Sequence, residues 1–305
     1  MTPMDAELDR LKATHLDAVF ARIEAAIARS FEEDSSIPEM LVYHFGTGGK
    51  RLRALLPLMV AEALDCDPEG LVAFGAACEM IHNATLVHDD LQDGDRLRRG
   101  EEAIWVRYGA ARAINLGDAM LYLGDVLIED LDVDPGTHLS VLARVSRNML
   151  RVIDGQEREF LLKEEAAPDL NAYFRMVQGK TSGLFALPIA GAALICGAPD
   201  ELVEGLERVS GHLGIIFQIQ DDILDLYGDK GREQAGGDIY EGKISALVAH
   251  FLTEAPTDEA RWLRTLLSTP REDVDPTDVT LAIGRLREAG SLAFAFHEIE
   301  RRKAL

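Results

Sequence analysis

Cysteine is scarce in this 305-residue chain: Cys66, Cys78 and Cys196 sit far apart, in apolar surroundings and without CxxC spacing. That pattern indicates neither a disulfide framework nor a zinc site, and it fits a reducing cytoplasm. Aromatic residues make up only 6% while Ala and Leu abound, which favours helix over sheet. Basic residues are also few, 31 against 53 acidic ones, and the net charge of -22 argues against nucleic acid or an anionic membrane as partner. The start, Met1-Thr2-Pro3-Met4-Asp5, lacks the basic and apolar regions of a signal peptide. The most apolar stretch, residues 183–198, is shorter than the roughly 20 residues of a membrane span and contains Pro188, so it reads as a buried core helix. No fixed-period repeat and no Pro- or Ser-rich linker divides the chain. With 47% hydrophobic residues, the expectation is one all-α domain covering residues 1–305.

Two acidic stretches organise what is there. One is His88-Asp89-Asp90-Leu91-Gln92-Asp93, followed by Arg98-Arg99-Gly100; the other is Phe217-Gln218-Ile219-Gln220-Asp221-Asp222-Ile223-Leu224-Asp225. Each ends a long apolar helical pattern, over residues 70–91 and 199–226. Residues four apart share a helix face, so Asp89 pairs with Asp93 and Asp221 with Asp225. Carboxylates this close repel unless a cation neutralises them. The ion that takes one or two carboxylates together with substrate phosphate oxygens and water is Mg²⁺, which points to a phosphorylated substrate. One such motif in so acidic a protein would read equally well as a solvated helix end. Two copies, one with an Arg-Arg-Gly close behind it, argue against that reading.

A diphosphate is repelled by the overall charge and must be held by local cations. Residues 5–30 form an amphipathic surface helix, a short helix reaches Phe45, and Gly46-Thr47-Gly48-Gly49 then interrupts before Lys50-Arg51-Leu52-Arg53 opens the next one. Glycines allow close backbone approach and a first helical turn offers free N–H groups, so this is a candidate diphosphate cradle. His82 lies two turns before Asp89 on the same face. Lys180-Thr181 at a glycine break either binds phosphate or caps a helix. Residues 227–237, rich in Gly and charge, are a candidate lid.

These motifs resemble the DDxxD-RRG and FQxxDDxxD signatures of the trans-type isoprenyl diphosphate synthases, or polyprenyl synthetases, over residues 48–243. The resemblance implies an antiparallel helical bundle of isoprenoid synthase type with a central cavity where the two acidic helix tips meet. It implies a Mg²⁺ cluster, usually of three ions, held by Asp89, Asp90, Asp93, Asp221, Asp222 and Asp225. Isopentenyl diphosphate would be held by Lys50, Arg53, His82 and Arg99, and the allylic diphosphate by Arg98, Lys180, Thr181, Gln218 and Lys243. Asp89, Asp93, Asp221, Lys180 and Lys243 would carry the chemistry, a head-to-tail condensation with no protein nucleophile. Leu116-Gly117-Asp118 and Gly155-Gln156-Glu157 are also family-like, with Asp118 structural. Two departures stand out: Ala54 replaces a usual Pro, and Glu233 replaces a usual Lys, leaving Lys230 or Arg232 as substitutes.

In such enzymes a bulky ring one turn below the first acidic pair stops chain growth, and a helical turn rises about 5.4 Å, roughly one isoprene unit. Below Asp89 stand Thr85 with Ala84, then Ile81, then Cys78, none aromatic. The C20 product geranylgeranyl diphosphate is therefore expected, with farnesyl or longer products as alternatives. A class I terpene cyclase would not need Lys50, Arg53 and Arg99, and a non-catalytic partner subunit would lack one aspartate motif. The resemblance also implies a homodimer. Arg301-Arg302-Lys303 reads as a solvated helix end.

Overall fold

A computed structural model describes residues 3–165, 168–228 and 236–305, with side chains from residue 6. The helices are α1 (Pro3–Ser30), α2 (Ile37–Gly46), α3 (Leu52–Ala63), α4 (Val72–Gln92), α5 (Ile104–Tyr108), α6 (Ala110–Ile128), α7 (Pro135–Glu164) and α8 (Leu170–Lys180). They continue with α9 (Gly183–Ile195), α10 (Asp200–Tyr227), α11 (Gly237–Tyr240), α12 (Ala246–Glu254), α13 (Thr257–Leu267), α14 (Pro276–Glu288) and α15 (Ser291–Lys303). Among the described residues the only strands are β1 (Leu97–Arg98) and β2 (Glu101–Glu102), so the class is all-α. Several helix starts follow from their capping residues. The Asp169 side chain accepts the Ala172 N–H at 2.6 Å and the Asp275 side chain the Thr277 N–H at 2.8 Å.

The chain forms two compact units, residues 1–146 with 186–207 and residues 147–185 with 208–305, the boundaries falling inside α7, α9 and α10. In the first unit α4 is the central helix, with 14 of its 21 residues buried. It packs against α1, α3 and α6. Small residues let it come close: a Cβ on Gly124 of α6 would stand 2.6 Å from Ile81, and one on Gly75 of α4 only 2.5 Å from the Ala54 carbonyl of α3. The segment Pro68–Gln92 is long and apolar enough to cross a membrane, yet its most apolar window is 78% buried inside the protein, as expected of a core helix. The second unit builds its core from α8, α10 and α12 to α15, around Tyr173, Ile219, Leu247, Val248 and Leu286.

The structure departs from the sequence reading, or adds to it, at three places. First, α3 starts at Leu52 rather than Lys50, because Arg51 takes a left-handed conformation (φ 57°) and ends the preceding loop. Second, the free cysteines Cys66 and Cys196, 130 positions apart in the chain, are neighbours. Burial and then Cys66 push the Cys196 thiol up to about 12. They meet because the last turn of α3 (Val60, Leu64) packs on the end of α9 around Ala190 and Ala193. Third, at the C-terminal end Arg302, its side chain only 10% exposed, is anchored rather than solvated, whereas Arg301 and Lys303 are exposed as expected. Arg301 and Arg302 both donate to Glu298, which is 5% exposed, and Arg302 lies over the Phe174 ring at 4.6 Å. The expected lid falls mostly on residues 229–235, which with Lys230, Arg232 and Glu233 lie outside the described residues.

Because Gly75 faces backbone that cannot rotate away, Gly75→Ala must separate α4 from α3. Thermal denaturation is expected to show a loss of about 1–3 kcal/mol. Gly46→Ala, with open space around it, serves as the control that changes little.

Candidate active site

At the end of α4 the Asp93 N–H bonds the Asp89 carbonyl at 2.8 Å, and Gly94, at φ 71°, turns the chain away. Asp89 and Asp93 are half-buried one turn apart, whereas Asp90 is only 2% exposed. Arg98 grips Asp90 with two nitrogens: Nε donates to Oδ2 at 3.1 Å and Nη2 donates to Oδ1. Burial opposes the charge on Arg98, but the hydrogen bonds and charge of Asp90 outweigh it and hold the guanidinium above its ordinary value. Arg98 is placed by a hairpin in which Leu97 faces Glu102 and Arg98 faces Glu101. The two turn residues, Arg99 and Gly100, both have positive φ (56° and 88°), which matches the twist of a two-residue hairpin.

Arg99 leaves that turn for the loop between α2 and α3. Its Nη1 donates to the Gly48 carbonyl and, at 3.4 Å, to Thr47 Oγ1. A Cβ on Gly49 would stand 2.9 Å from the guanidinium, so residue 49 must stay small for Arg99 to sit there. Lys50, next to it, is exposed and has no partner among the described residues. Arg53, in the first turn of α3, is 7% exposed, and burial pushes its guanidinium down to about 10 against the pull of Glu79. His82 is pushed well below its ordinary value by burial first and then by Arg53, Arg99 and Arg98, so the ring is neutral at pH 7. Its buried Nδ1 has no hydrogen-bond partner. Arg53, His82 and Arg99 thus share one neighbourhood, and Lys50 adjoins it through Gly49. Below them Cys78, Ile81 and Ala84 are buried, while Thr85 donates to the His82 carbonyl at 2.7 Å.

In the second unit α7 and α8 touch backbone to backbone at Gly155 and Gly179, where a Cβ on Gly179 would meet the Arg151 carbonyl at 2.8 Å. This contact fixes Lys180, whose Nζ lies 2.5 Å from Glu159 Oε2. From α8 a chain of hydrogen bonds leads into the second acidic motif. Thr181 Oγ1 donates to Gln218 Oε1 at 2.9 Å, and Gln218 Nε2 donates to Asp222 Oδ1 at 3.0 Å. Asp222 Oδ2 accepts from the Tyr173 hydroxyl at 2.7 Å and from the Ala246 N–H at 2.8 Å. Burial still pushes Asp222 up to about 6, against the pull of these donors. Asp221 is exposed, and Asp225 Oδ2 accepts the Asp238 N–H at 2.9 Å. Lys243 Nζ is 2.7 Å from Glu241.

Sequence reasoning missed Tyr173, Glu159, Glu79 and Asp238. None has a motif of its own. Asp238 offered the one available signal, an acid shortly before Glu241-Gly242-Lys243. Its carboxyl is pushed far up by burial and then by Asp225 and Asp222, against the pull of Lys243. Among the described residues no three His, Cys, Asp or Glu side chains converge to hold a metal unaided. Asp89 and Asp93 in one motif and Asp221 in the other supply hard oxygen donors of the kind that a divalent ion combines with phosphate oxygens and water.

Residues 34–283 match the model of the polyprenyl synthetase family. The geranylgeranyl diphosphate synthase of Saccharolobus solfataricus is 31% identical over 288 residues, covering 91% of this chain and 85% of that protein. The nonaprenyl diphosphate synthase of Mycobacterium tuberculosis is 31% identical over 291 residues, 94% of this chain and 84% of that one. Among solved structures, the geranylgeranyl pyrophosphate synthetase from Pyrococcus horikoshii aligns with a TM-score of 0.89 at 26% identity, over 99% of this chain and 90% of that one. Fold and relatives define a prenyltransferase that elongates prenyl diphosphates. The chain belongs to the polyprenyl synthetase family.

His44, 2% exposed at the end of α2, gives a pH prediction. Burial pushes it down from 6.5 to about 4, with Asn83 pulling it up and Arg98, Arg99 and Arg51 pushing it further down. The unfolded chain takes up this proton before the folded chain does. Stability is therefore complete above about pH 6.5 and declines toward pH 4, by about 3 kcal/mol at most. Urea denaturation across that range is expected to show a shallower acid limb for His44→Gln.

Proposed function

We propose that the protein condenses isopentenyl diphosphate head to tail with an allylic diphosphate, in a Mg²⁺-dependent reaction whose main product is geranylgeranyl diphosphate. The observation that carries this reading is the cationic neighbourhood of Arg53, Arg99 and neutral His82, with an unpartnered Nδ1 and exposed Lys50 beside it. Those groups suit a second diphosphate substrate, for which a terpene cyclase has no use.

In this reading Asp89 and Asp93 in one unit, and Asp221 and Asp225 in the other, would hold Mg²⁺. Asp90 and Asp222 keep their neighbours in place, since Arg98 occupies one and three donors occupy the other. Bound Mg²⁺, by resemblance three ions, supplies charge neutralisation of the leaving diphosphate. Arg98, Lys180, Thr181, Gln218 and Lys243 bind the allylic diphosphate, and the cations among them favour the negative charge that builds as its C–O bond ionises. Lys50, Arg53, His82 and Arg99 hold isopentenyl diphosphate so that its double bond attacks the allylic carbon. The released diphosphate takes the proton that completes the step. None of Cys78, Ile81, Ala84 and Thr85 carries an aromatic ring, which supports a tail longer than C15. The three free thiols agree with a reducing cytoplasm.

Incubation of the purified protein with labelled isopentenyl diphosphate, Mg²⁺ and dimethylallyl, geranyl or farnesyl primer is expected to give a C20 product, and none with EDTA. A ceiling at C15, or a hydrocarbon formed without isopentenyl diphosphate, would refute the proposal. Ala84→Phe is expected to shorten the product. Tyr122 and Ile114 leave apolar surface on α6, 72% and 47% exposed, that a second copy would cover. Light scattering is expected to report a dimer, which Tyr122→Glu weakens.

A further inference from the structure

Glu79 is a buried acid among cations. It is 3% exposed in the middle of α4. Its Oε1 accepts from Arg51 Nη1 at 3.2 Å and from Asn83 Nδ2 at 3.0 Å, and its Oε2 accepts the Ala54 N–H at 3.3 Å. The other arm of Arg51 donates to the Phe45 carbonyl at the end of α2 at 2.6 Å, and the guanidinium lies 5.2 Å from the ring centres of both Phe20 and Phe45. Asn83 Nδ2 also donates to the Glu79 carbonyl at 2.7 Å. That leaves Asn83 Oδ1 to accept from His44 Nε2 at 3.1 Å, which fixes the N–H on that nitrogen. The last turn of α2, the first turn of α3 and the middle of α4 are therefore tied together through one carboxylate. The tie spans the loop of residues 47–51, in which Arg51 is held at φ 57°. For a residue with a side chain that conformation costs roughly 1–2 kcal/mol, so it persists only while both arms of Arg51 are engaged.

We infer that Glu79 is a positioning residue for isopentenyl diphosphate: through Arg51 and the Ala54 N–H it holds the loop carrying Lys50 and the helix end carrying Arg53 in the geometry that receives the diphosphate. This rests on reading Lys50, Arg53, His82 and Arg99 as the isopentenyl diphosphate site. A purely electrostatic account predicts the opposite sign. Glu79 is a negative charge beside a site for an anion, so neutralising it would tighten binding. Positioning predicts that neutralising it loosens binding, because Arg51 is released.

The test uses the full-length enzyme with Mg²⁺ and both substrates. Glu79→Gln is expected to raise KM for isopentenyl diphosphate roughly tenfold, with kcat at saturation and KM for the allylic primer little changed. An unchanged or lower KM for isopentenyl diphosphate overturns the inference, as does an equal rise for both substrates. If Glu79→Gln does not fold, the paired change Arg51→Met with Glu79→Leu replaces a buried ion pair by apolar groups, which is often neutral for stability. That variant also removes the acceptor of the Ala54 N–H, so it is expected to fold with a lowered Tm and to show the same raised KM; a wild-type KM in it overturns the inference. Lys50→Ala is assayed in parallel. If it leaves KM for isopentenyl diphosphate unchanged, the reading of the site fails. If it raises KM while Glu79→Gln does not, only the positioning role fails.

Discussion

Like charges brought close together repel one another, and a fold can keep them there only by placing opposite charge among them. Asp90 faces Arg98, Glu79 faces Arg51, Glu159 faces Lys180 and Glu241 faces Lys243. All four acids are nearly buried, with side chains 2% to 9% exposed. A buried pair of this kind adds little net stability, but losing one partner leaves a charge in low dielectric at a cost of about 3–5 kcal/mol. Mutating any of these acids therefore disturbs the cations as well as the fold.

The same division of labour explains why each acidic motif has adjacent aspartates. On a helix, neighbours point about 100° apart, so one of two adjacent carboxylates turns to solvent while the other turns to the core. Asp221 is exposed and Asp222 is 3% exposed; Asp89 is half-buried and Asp90 is 2% exposed. The inner member receives donors from elsewhere in its unit: the Arg98 guanidinium in one case, and Tyr173, Gln218 and the Ala246 N–H in the other. The outer members keep the greater exposure.

Local pattern made the all-α class and the ends of α4 and α10 legible, because apolar spacing and the acidic motifs sit within a few turns of chain. The start of α3 was misread by two residues, since the left-handed turn at Arg51 is set by Glu79 and Phe45 and not by local propensity. The hairpin at residues 97–102 is too short to show a period of two. The Cys66–Cys196 contact and the Tyr173–Asp222 bond join residues 130 and 49 positions apart, and a composition of free cysteines or a buried tyrosine gives no hint of either. Sequence reading singled out groups to which a motif assigns a candidate task more readily than groups that hold them in place.

The Arg99-Gly100 turn bears on how this enzyme responds to engineering. Asparagine is at ease in the left-handed conformation that arginine tolerates poorly, and Asn-Gly is a favoured pair for this hairpin. A library screened for heat resistance alone would thus reward Arg99→Asn, a robust scaffold missing the guanidinium that lies against Gly48 and Gly49. On the reading of Arg99 as an isopentenyl diphosphate ligand, selections on this fold must score turnover together with survival, or they will enrich variants that have lost that contact.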